Sequence, residues 1–337
     1  MENSINRRDF LKLATLGSMS MGMGLGRSIK TIDNESPRVG IIGLDTSHCI
    51  AFTKILNDPQ APPELAGYPV VAAYPYGSKT IKSSYSRIPK YTRQIKQMGV
   101  KVVDSVDDLL DQVDVVLLET NDGQRHLEQA RKVFKAGKPA FIDKPLAASL
   151  ADVVEIYDLA DQYDVPVFSA SSLRYMSHAQ AIRHGKAGTL LGAETYGPAG
   201  IEPTHPDLYW MGIHGVETLF TVMGTGCRQV RRIYSKETDV VVGTWDDGKL
   251  GTFRGLRTGR EDFGGTAFGE KEIAPIGPYE GYRSLLVEIV KFFRTGKAPV
   301  TPQETKEIYA FMSAADASKR RDGAPVTLQE MLAKARQ

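Results

Sequence analysis

The groups best equipped for chemistry in the first third of the chain stand together in "GLDTSHC", Gly43 to Cys49. Asp45, Thr46, Ser47, His48 and Cys49 bring a carboxylate, two hydroxyls, an imidazole and a thiol to one turn. The stretch follows the apolar run "RVGII" and precedes the helical "AFTKILND", so a buried strand here delivers the chain to a helix N-terminus. Such a terminus carries free N–H groups and the positive end of the helix dipole, which together bind anions. Thr46 and Ser47 suit the cap and add hydroxyls. The anion that most often occupies this turn is the pyrophosphate of a dinucleotide, cradled by glycines in the pattern G-x-G-x-x-G. Gly43 holds the first place here, Asp45 the second and His48 the third.

Asp45 is not neutral in that role. At about 5 Å from one phosphate charge, with an effective dielectric of ~20, its carboxylate costs roughly 3 kcal/mol, or about a hundredfold in affinity. Binding therefore requires that Asp45 point away or be neutralised by a neighbour such as His48. The acid that usually ends the second strand and takes the ribose hydroxyls is also missing, because the chain there reads "YPYGSKTIKSS". Ser78, Lys79 and Lys82 suit a 2'-phosphate instead, favouring NADP over NAD. A solvated basic loop is the other reading.

The elements that must position these groups form two patterns. From Arg38 to about Phe168, short apolar strands alternate with helices: "RVGIIG", "VVAAYPY", "VDVVLLET" and "KPAFIDKPL" are strands, and "GQRHLEQARKVFKAG" and "SLADVVEIYDLADQYD" are helices. This alternation implies a doubly wound parallel sheet of the Rossmann type, an α/β domain over residues 37–168. Beyond it the strand-like "RQVRRIYSKE", "DVVVGTW" and "LGTFRGLR" follow one another through short turns. They imply a second, α+β domain over residues 169–337 with an open, mainly antiparallel sheet. Two helices, "GYRSLLVEIVKFFRTGK" and one opened by Pro302, pack back on the body.

One block makes the reading more specific. "LLETNDGQRHLEQARKVFKAGKPAFIDKPLAASLADVVEI" carries Thr120-Asn121-Asp122, His126, Gly137-Lys138 and Asp143-Lys144-Pro145. It resembles the glucose-fructose oxidoreductase, inositol dehydrogenase and rhizopine catabolism family (Gfo/Idh/MocA), where the last motif reads Glu-Lys-Pro. The resemblance implies that Gly43, Thr120, Asn121, His126 and Asp143 border the dinucleotide. It also implies that Lys144 reaches the active site, donates to a substrate hydroxyl and tunes the catalytic base. Independently, a lysine on a strand's C-terminal exit lies where open α/β sheets bind ligands.

The family's second marker is Asp-x-Gly-x-His-x-x-Asp at a helix start, matched here by Trp210, Gly212, His214 and Glu217 in "LYWMGIHGVETLF". His214, with an ordinary pKa near neutrality, is the candidate general base. Its usual carboxylate companion is a tryptophan, leaving Asp207 or Glu217 as substitutes. Tyr175, Tyr209 and Trp210 offer flat aromatic faces to a sugar, and Arg174-Tyr175 resembles the family's pair bordering the active site. His48, Cys49, His205 and His214 follow no recognised metal-ligand spacing, so no metal is expected.

The 337 residues balance 42 basic against 40 acidic side chains, a formal charge of +2 with no like-charge block, which excludes a nucleic-acid footprint. Two cysteines are too few for a disulfide framework. Residues 1–30 contain "NRRDFLKLATLGSMSMGMGLG", which resembles a twin-arginine export signal and predicts a periplasmic protein served by that export machinery. No small-x-small tripeptide ends the run cleanly, so retention at the membrane by an uncleaved signal stays open. The strand-rich second domain suggests a homo-oligomer built through its sheet.

Two functions remain at this stage. The first is an exported NAD(P)-dependent oxidoreductase acting on a sugar or polyol hydroxyl, with glycoside processing by a tightly bound, recycled NAD as a variant. The other is a carbohydrate-binding or regulatory protein that keeps the fold and has lost the redox chemistry, which Asp45, Trp210 and the absent ribose acid favour.

Overall fold

The computed structural model describes residues 36–337, so the signal-like segment lies outside the described residues. The first half alternates strand and helix: β1 (Val39–Ile42), α1 (Ser47–Leu56), β2 (Val70–Tyr74), α2 (Lys82–Tyr85), α3 (Ile88–Gln97), β3 (Lys101–Val102), α4 (Val106–Leu110), β4 (Val115–Leu118), α5 (His126–Lys135), β5 (Ala140–Ile142), α6 (Leu150–Gln162) and β6 (Val167–Phe168). All strand pairs are parallel, in the order β3-β2-β1-β4-β5-β6. This is the Rossmann order, whose reversal between β1 and β4 opens a crevice at the strands' C-terminal ends. β1 and β4 are buried at every position, as apolar strands covered on both faces must be.

The second half continues with α7 (Ser177–Arg183), β7 (Leu190–Pro198), α8 (Ile213–Met223), β8 (Cys227–Tyr234), β9 (Thr238–Trp245), β10 (Leu250–Leu256), β11 (Gly264–Gly269), β12 (Ile273–Ile276), α9 (Arg283–Thr295), α10 (Pro302–Lys319), β13 (Val326–Thr327) and α11 (Leu328–Ala335). Its sheet runs β12-β11-β7-β10-β9-β8-β13 and is antiparallel except where β10 meets β7. Strands β9 and β10 alternate buried and less buried residues, the signature of a sheet with one covered face. α8 packs across this sheet, and Gly215 lets it approach closely: a Cβ there would lie 2.2 Å from Phe253.

The chain's tail closes the structure. Leu285, Leu286, Ile289, Val290 and Phe292 of α9 join the core beneath β1, packed with Val39, Ile41, Phe141 and Phe168 of the first sheet. α10 begins at Pro302 behind its Thr301 cap, and its Tyr309 hydroxyl accepts the Leu146 N–H just past β5. The helices thus brace the strand ends that carry Lys144. Cys49 and Cys227 are buried and free. No described helix is long and apolar enough to cross a membrane.

Candidate active site

The β1–α1 turn is fixed by its first glycine. Gly43 has φ +104°, and a Cβ would stand 2.3 Å from the Thr120 nitrogen, so the end of β1 touches the end of β4 as only glycine permits. Thr46 caps α1 by accepting the His48 N–H at 3.4 Å, and Ser47 is exposed at the first helical position. The first turn of α1 holds no acidic side chain.

Asp45 points away from this opening. Its Oδ2 accepts the Ser84 hydroxyl at 2.5 Å and its Oδ1 accepts the Asn121 N–H at 3.0 Å, with no part of the side chain exposed. Burial raises its pKa to about 6, against the opposing pull of the Ser84 and Asn121 hydrogen bonds. The loop after β2 is laced to the same turn, because Gly43 and Leu44 donate their N–H groups to the Tyr74 and Tyr76 carbonyls. The expected repulsion is thereby reduced: the carboxylate faces protein donors, and Arg87, whose guanidinium reaches the Asp45 carbonyl at 3.5 Å, stands on the open side.

A cavity of about 400 Å³ extends from that opening across the crevice. Thr46, Ser47, His48, Arg87, Asn121 and Lys144 line it from the first sheet's side. Trp210, His214, Phe263, Tyr279 and Tyr282 line it from the second half of the chain. Lys144, largely buried at the exit of β5, has its ammonium 3.8 Å from Asp143 Oδ2.

His214 Nδ1 lies 2.7 Å from the Ser171 hydroxyl, and Ser171 in turn donates its N–H to Glu217 Oε2 at 2.8 Å. Glu217 Oε1 accepts the Arg174 guanidinium at 2.7 Å. Burial pushes the His214 pKa well below its usual value, and the positive charge of Lys144 adds to the effect. The ring is therefore neutral near pH 7. In the tautomer whose Nδ1–H donates to the Ser171 hydroxyl, Nε2 keeps the lone pair that a general base needs.

The structure relocates several residues expected at the site. Neither Asp207 nor Glu217 hydrogen-bonds His214: Asp207 binds Arg232 and Lys319, and Glu217 acts through Ser171. Arg174 is buried between Glu217 and Glu304 rather than facing substrate. Tyr175 borders a different groove, beside Arg183 and Lys291, and Tyr209 is fully buried with its hydroxyl on Ser313 and the Tyr309 carbonyl. His126 is also corrected, since both ring nitrogens face backbone carbonyls, of Leu146 and Thr120, and none of it is exposed. It ties the end of β4 to the chain after β5. Thr120 is fully buried. Ser78 turns inward, its hydroxyl accepting the Thr80 and Ile81 N–H groups, while Lys79 stays on the surface outside the cavity lining.

Sequence reading missed Arg87, Ser171, Phe263, Tyr279 and Tyr282, which come from segments with no motif. It also missed Glu119, at the C-terminal end of β4, buried beside His48 and Asp143. His48 Nδ1 is 2.7 Å from Asp143 Oδ2 and 3.8 Å from Glu119 Oε2. Burial, with the Asp143 charge adding to it, raises the Glu119 pKa well above the usual range. Burial also opposes the charge on Asp143, but His48 and Lys144 outweigh it and hold that carboxylate below its usual pKa.

Residues 38–171 match the Gfo/Idh/MocA family, described as an oxidoreductase family with an NAD-binding Rossmann fold. Over 134 residues the chain is 26% identical to the uncharacterized oxidoreductase YhhX of Escherichia coli, covering 35% of this chain and 38% of that one. Over 124 residues it is 30% identical to an uncharacterized oxidoreductase of Streptococcus pneumoniae, covering 35% and 33%. It thus spans 38% and 33% of the length of these two curated relatives. Among solved structures, a probable dehydrogenase of Thermotoga maritima superposes with TM-score 0.68 at 20% identity, over 87% of this chain and 99% of the other. The myo-inositol dehydrogenase of Lactobacillus casei, solved with NAD(H) and myo-inositol, gives 0.68 at 15% identity, over 86% and 96%. An Agrobacterium radiobacter oxidoreductase in complex with NAD+, L-tartaric acid and magnesium gives 0.70 at 15%, over 88% and 100%. At such identities the likeness is one of fold. Residues 38–171 of this chain are thus similar to the NAD-binding Rossmann part of the Gfo/Idh/MocA oxidoreductases, and the described fold as a whole is the one those solved dehydrogenases share.

Proposed function

We propose that the protein is an NAD(P)-dependent oxidoreductase acting on a hydroxyl of a sugar or polyol. The observation that carries this reading is the convergence of Lys144 and His214, from the two halves of the fold, on one cavity that ends at the α1 N-terminus. The donors present fit a dinucleotide phosphate: the Thr46 and Ser47 hydroxyls, the helix N–H groups and the Arg87 guanidinium surround an opening from which Asp45 is turned away. Lys79 and Lys82 are exposed on the segment after β2, where the sequence lacks the usual ribose-binding acid, and support NADP over NAD. The polyol assignment draws support from the inositol dehydrogenases that share the fold and are solved with NAD(H) and inositol.

When bound, the nicotinamide supplies the hydride acceptor or donor. This chain's own part is positioning and proton transfer. Lys144 donates to the reacting oxygen and stabilises charge that develops there. His214 Nε2 takes the hydroxyl proton while Ser171 holds the ring. Trp210, Phe263 and Tyr279 cover the C–H faces of the carbon skeleton. Glycoside processing with a retained, recycled nicotinamide is a variant of the same chemistry. It agrees with the periplasmic destination that we also propose from the N-terminal segment, where no free cofactor pool is needed.

The second reading, a carbohydrate-binding protein without redox chemistry, rests on the Leu44 N–H being taken by Tyr76, which removes one pyrophosphate donor from the turn. The experiment denatures full-length protein purified from the cytoplasm and assays the supernatant for nicotinamide nucleotide. Stoichiometric release supports the oxidoreductase. An empty protein that also fails to bind NAD or NADP at millimolar concentration supports the second reading and refutes the first. Export is checked separately by replacing Arg7 and Arg8 with lysine, which should leave the protein in the cytoplasm.

A further inference from the structure

Below the cavity floor, three side chains from three different elements meet: His48 from the first turn of α1, Glu119 from the end of β4 and Asp143 from the end of β5. Each offers one ligand atom, and these atoms lie within 4.8 Å of one another. We propose that they form a binding site for a first-row divalent metal ion, of the Zn2+ or Mn2+ class, held beneath Lys144.

Four observations support the site. First, the polar atoms lack partners: both Glu119 oxygens and Asp143 Oδ1 are buried with no hydrogen bond among the described residues. His48 Nδ1 lies 2.7 Å from Asp143 Oδ2, and a metal bound between them would displace the proton that this contact shares. A native interior seldom leaves so many adjacent acceptors unsatisfied unless something binds them.

Second, the spacing fits. An ion bound at about 2.0–2.2 Å sets its ligand atoms roughly 3–3.5 Å apart. The His48 separations of 2.7 and 3.8 Å bracket that range. Third, acidic groups crowd the site: two buried carboxyl groups, Glu119 and Asp143, share the His48 ring and the Lys144 ammonium, the latter 3.8 Å from Asp143. Buried charges of one sign are tolerated when a metal or counter-ion neutralises them. Fourth, the donors are held in place. The His48 ring stacks on Phe52 with centroids 5.3 Å apart and meets the Tyr282 edge at 4.7 Å, and the two carboxylates stand at the ends of adjacent buried strands.

The donor set selects the ion class. One imidazole nitrogen with carboxylate oxygens suits Zn2+, Mn2+ or Fe2+, whereas Mg2+ and Ca2+ take all-oxygen shells. Bound there, the ion places a fixed positive charge just under the wall that Lys144 and His48 present to the cavity. The competing state is a metal-free cluster in which Glu119 keeps a proton.

The test uses tag-free, full-length protein stripped with chelator and reloaded with Zn2+ or Mn2+, its metal content read by plasma mass spectrometry. Titration with Co2+ adds a d–d absorption band as an independent signature. The expected results are close to one ion per chain and a Tm raised by roughly 5 °C at a hundredfold excess over Kd. Glu119→Gln keeps the side chain's shape and mimics the protonated acid, so it should fold while binding metal at least tenfold more weakly. Glu261→Gln, an exposed position, should bind as the wild type does. No Co2+ band and no Tm response to millimolar Zn2+ or Mn2+ would overturn the site. Equal affinities for wild type and Glu119→Gln would do so as well. Neither readout depends on catalysis or on a nicotinamide.

Discussion

Replacing Asp45 by asparagine separates two accounts of the β1–α1 turn. In the folded protein Asp45 is fully buried and burial raises its pKa from 3.8 to about 6. The sign follows from proton uptake: between pH 4 and 6 the native state holds a proton that the unfolded chain has released, so stability from this group falls as pH rises through that window. Above pH 6 the accumulated cost is about 2 pKa units, or roughly 3 kcal/mol. Asparagine cannot ionise, yet its carbonyl accepts the Asn121 N–H and its amide donates to the Ser84 oxygen. Asp45→Asn should therefore match the wild type at pH 4 and exceed it by up to roughly 3 kcal/mol at pH 8. The assay is urea unfolding of chelator-treated protein across that range. Subtracting the two curves removes the other titrating groups, Asp316 among them, whose burial also raises its pKa to about 6. A variant less stable than wild type at pH 8, or a difference that does not change with pH, would refute the argument. The same variant tests the orientation of the carboxylate. A carboxylate facing a phosphate at about 5 Å implies a gain of about a hundredfold in dinucleotide affinity on its removal, whereas the inward geometry predicts a change under about threefold, because the protein already absorbs the charge.

Other perturbations read other parts of the site. Lys144→Met and His214→Gln should each lower turnover by roughly 10²–10⁴-fold, with circular dichroism and unfolding midpoints little changed. Ser171→Ala removes the partner of His214 Nδ1, so kcat should fall about tenfold with KM nearly constant and the acid limb of the pH profile displaced; an unchanged profile would mean that the ring is held by packing alone. Arg174→Met takes the charge partner from buried Glu217, while Glu304 keeps Arg183, and should cost about 3–5 kcal/mol in urea unfolding. Gly43→Ala forces a Cβ against the Thr120 backbone at positive φ and should destabilise by at least ~2 kcal/mol.

The parallel sheet was legible because its strands are buried on both faces and read as unbroken apolar runs, "RVGII" and "DVVLLE" among them. α3, β12 and α11 were harder to see. α3 shows the sequence one buried residue, Ile95, in an otherwise polar stretch, and β12 is four residues long. At the site, Lys144 and His214 were legible through local motifs, and both reach the cavity. Arg174, Tyr175 and Tyr209 were misplaced for a common reason. A large polar or aromatic residue beside a motif is read as a ligand contact, but whether it faces the cleft or the core depends on partners far along the chain. For Arg174 the partners are Glu217 and Glu304, and for Tyr209 they are Tyr309 and Ser313. Ser171 was invisible because its importance lies in a bond to His214, 43 residues away. The Glu119 cluster was invisible to a search for spacing, since its three donors come from three elements and meet only when β4 and β5 pair.

These placements explain how a turn that lost two glycines still closes the Rossmann sheet. Gly43 alone occupies the close contact between β1 and β4, so the strand order survives changes after it. The second place no longer leaves room for a phosphate by being small. It is filled by a carboxylate that binds inward and ties the loop after β2, through Ser84, to the Asn121 turn after β4. The third place no longer lets helix and strand pack by being small either, because the His48 ring is accommodated between Phe52 and Tyr282, and Tyr282 immediately precedes α9. α9 is the helix that lays Leu285, Leu286 and Ile289 against the first sheet. The substitution at the turn and the returning C-terminal helix are thus one structural solution, and truncating the Tyr282 ring should loosen His48 before it disturbs the strands. Tyr282→Ala should accordingly weaken metal retention by His48, Glu119 and Asp143 while leaving far-UV circular dichroism unchanged, and full metal retention would show that the strand ends hold the cluster without help from that ring.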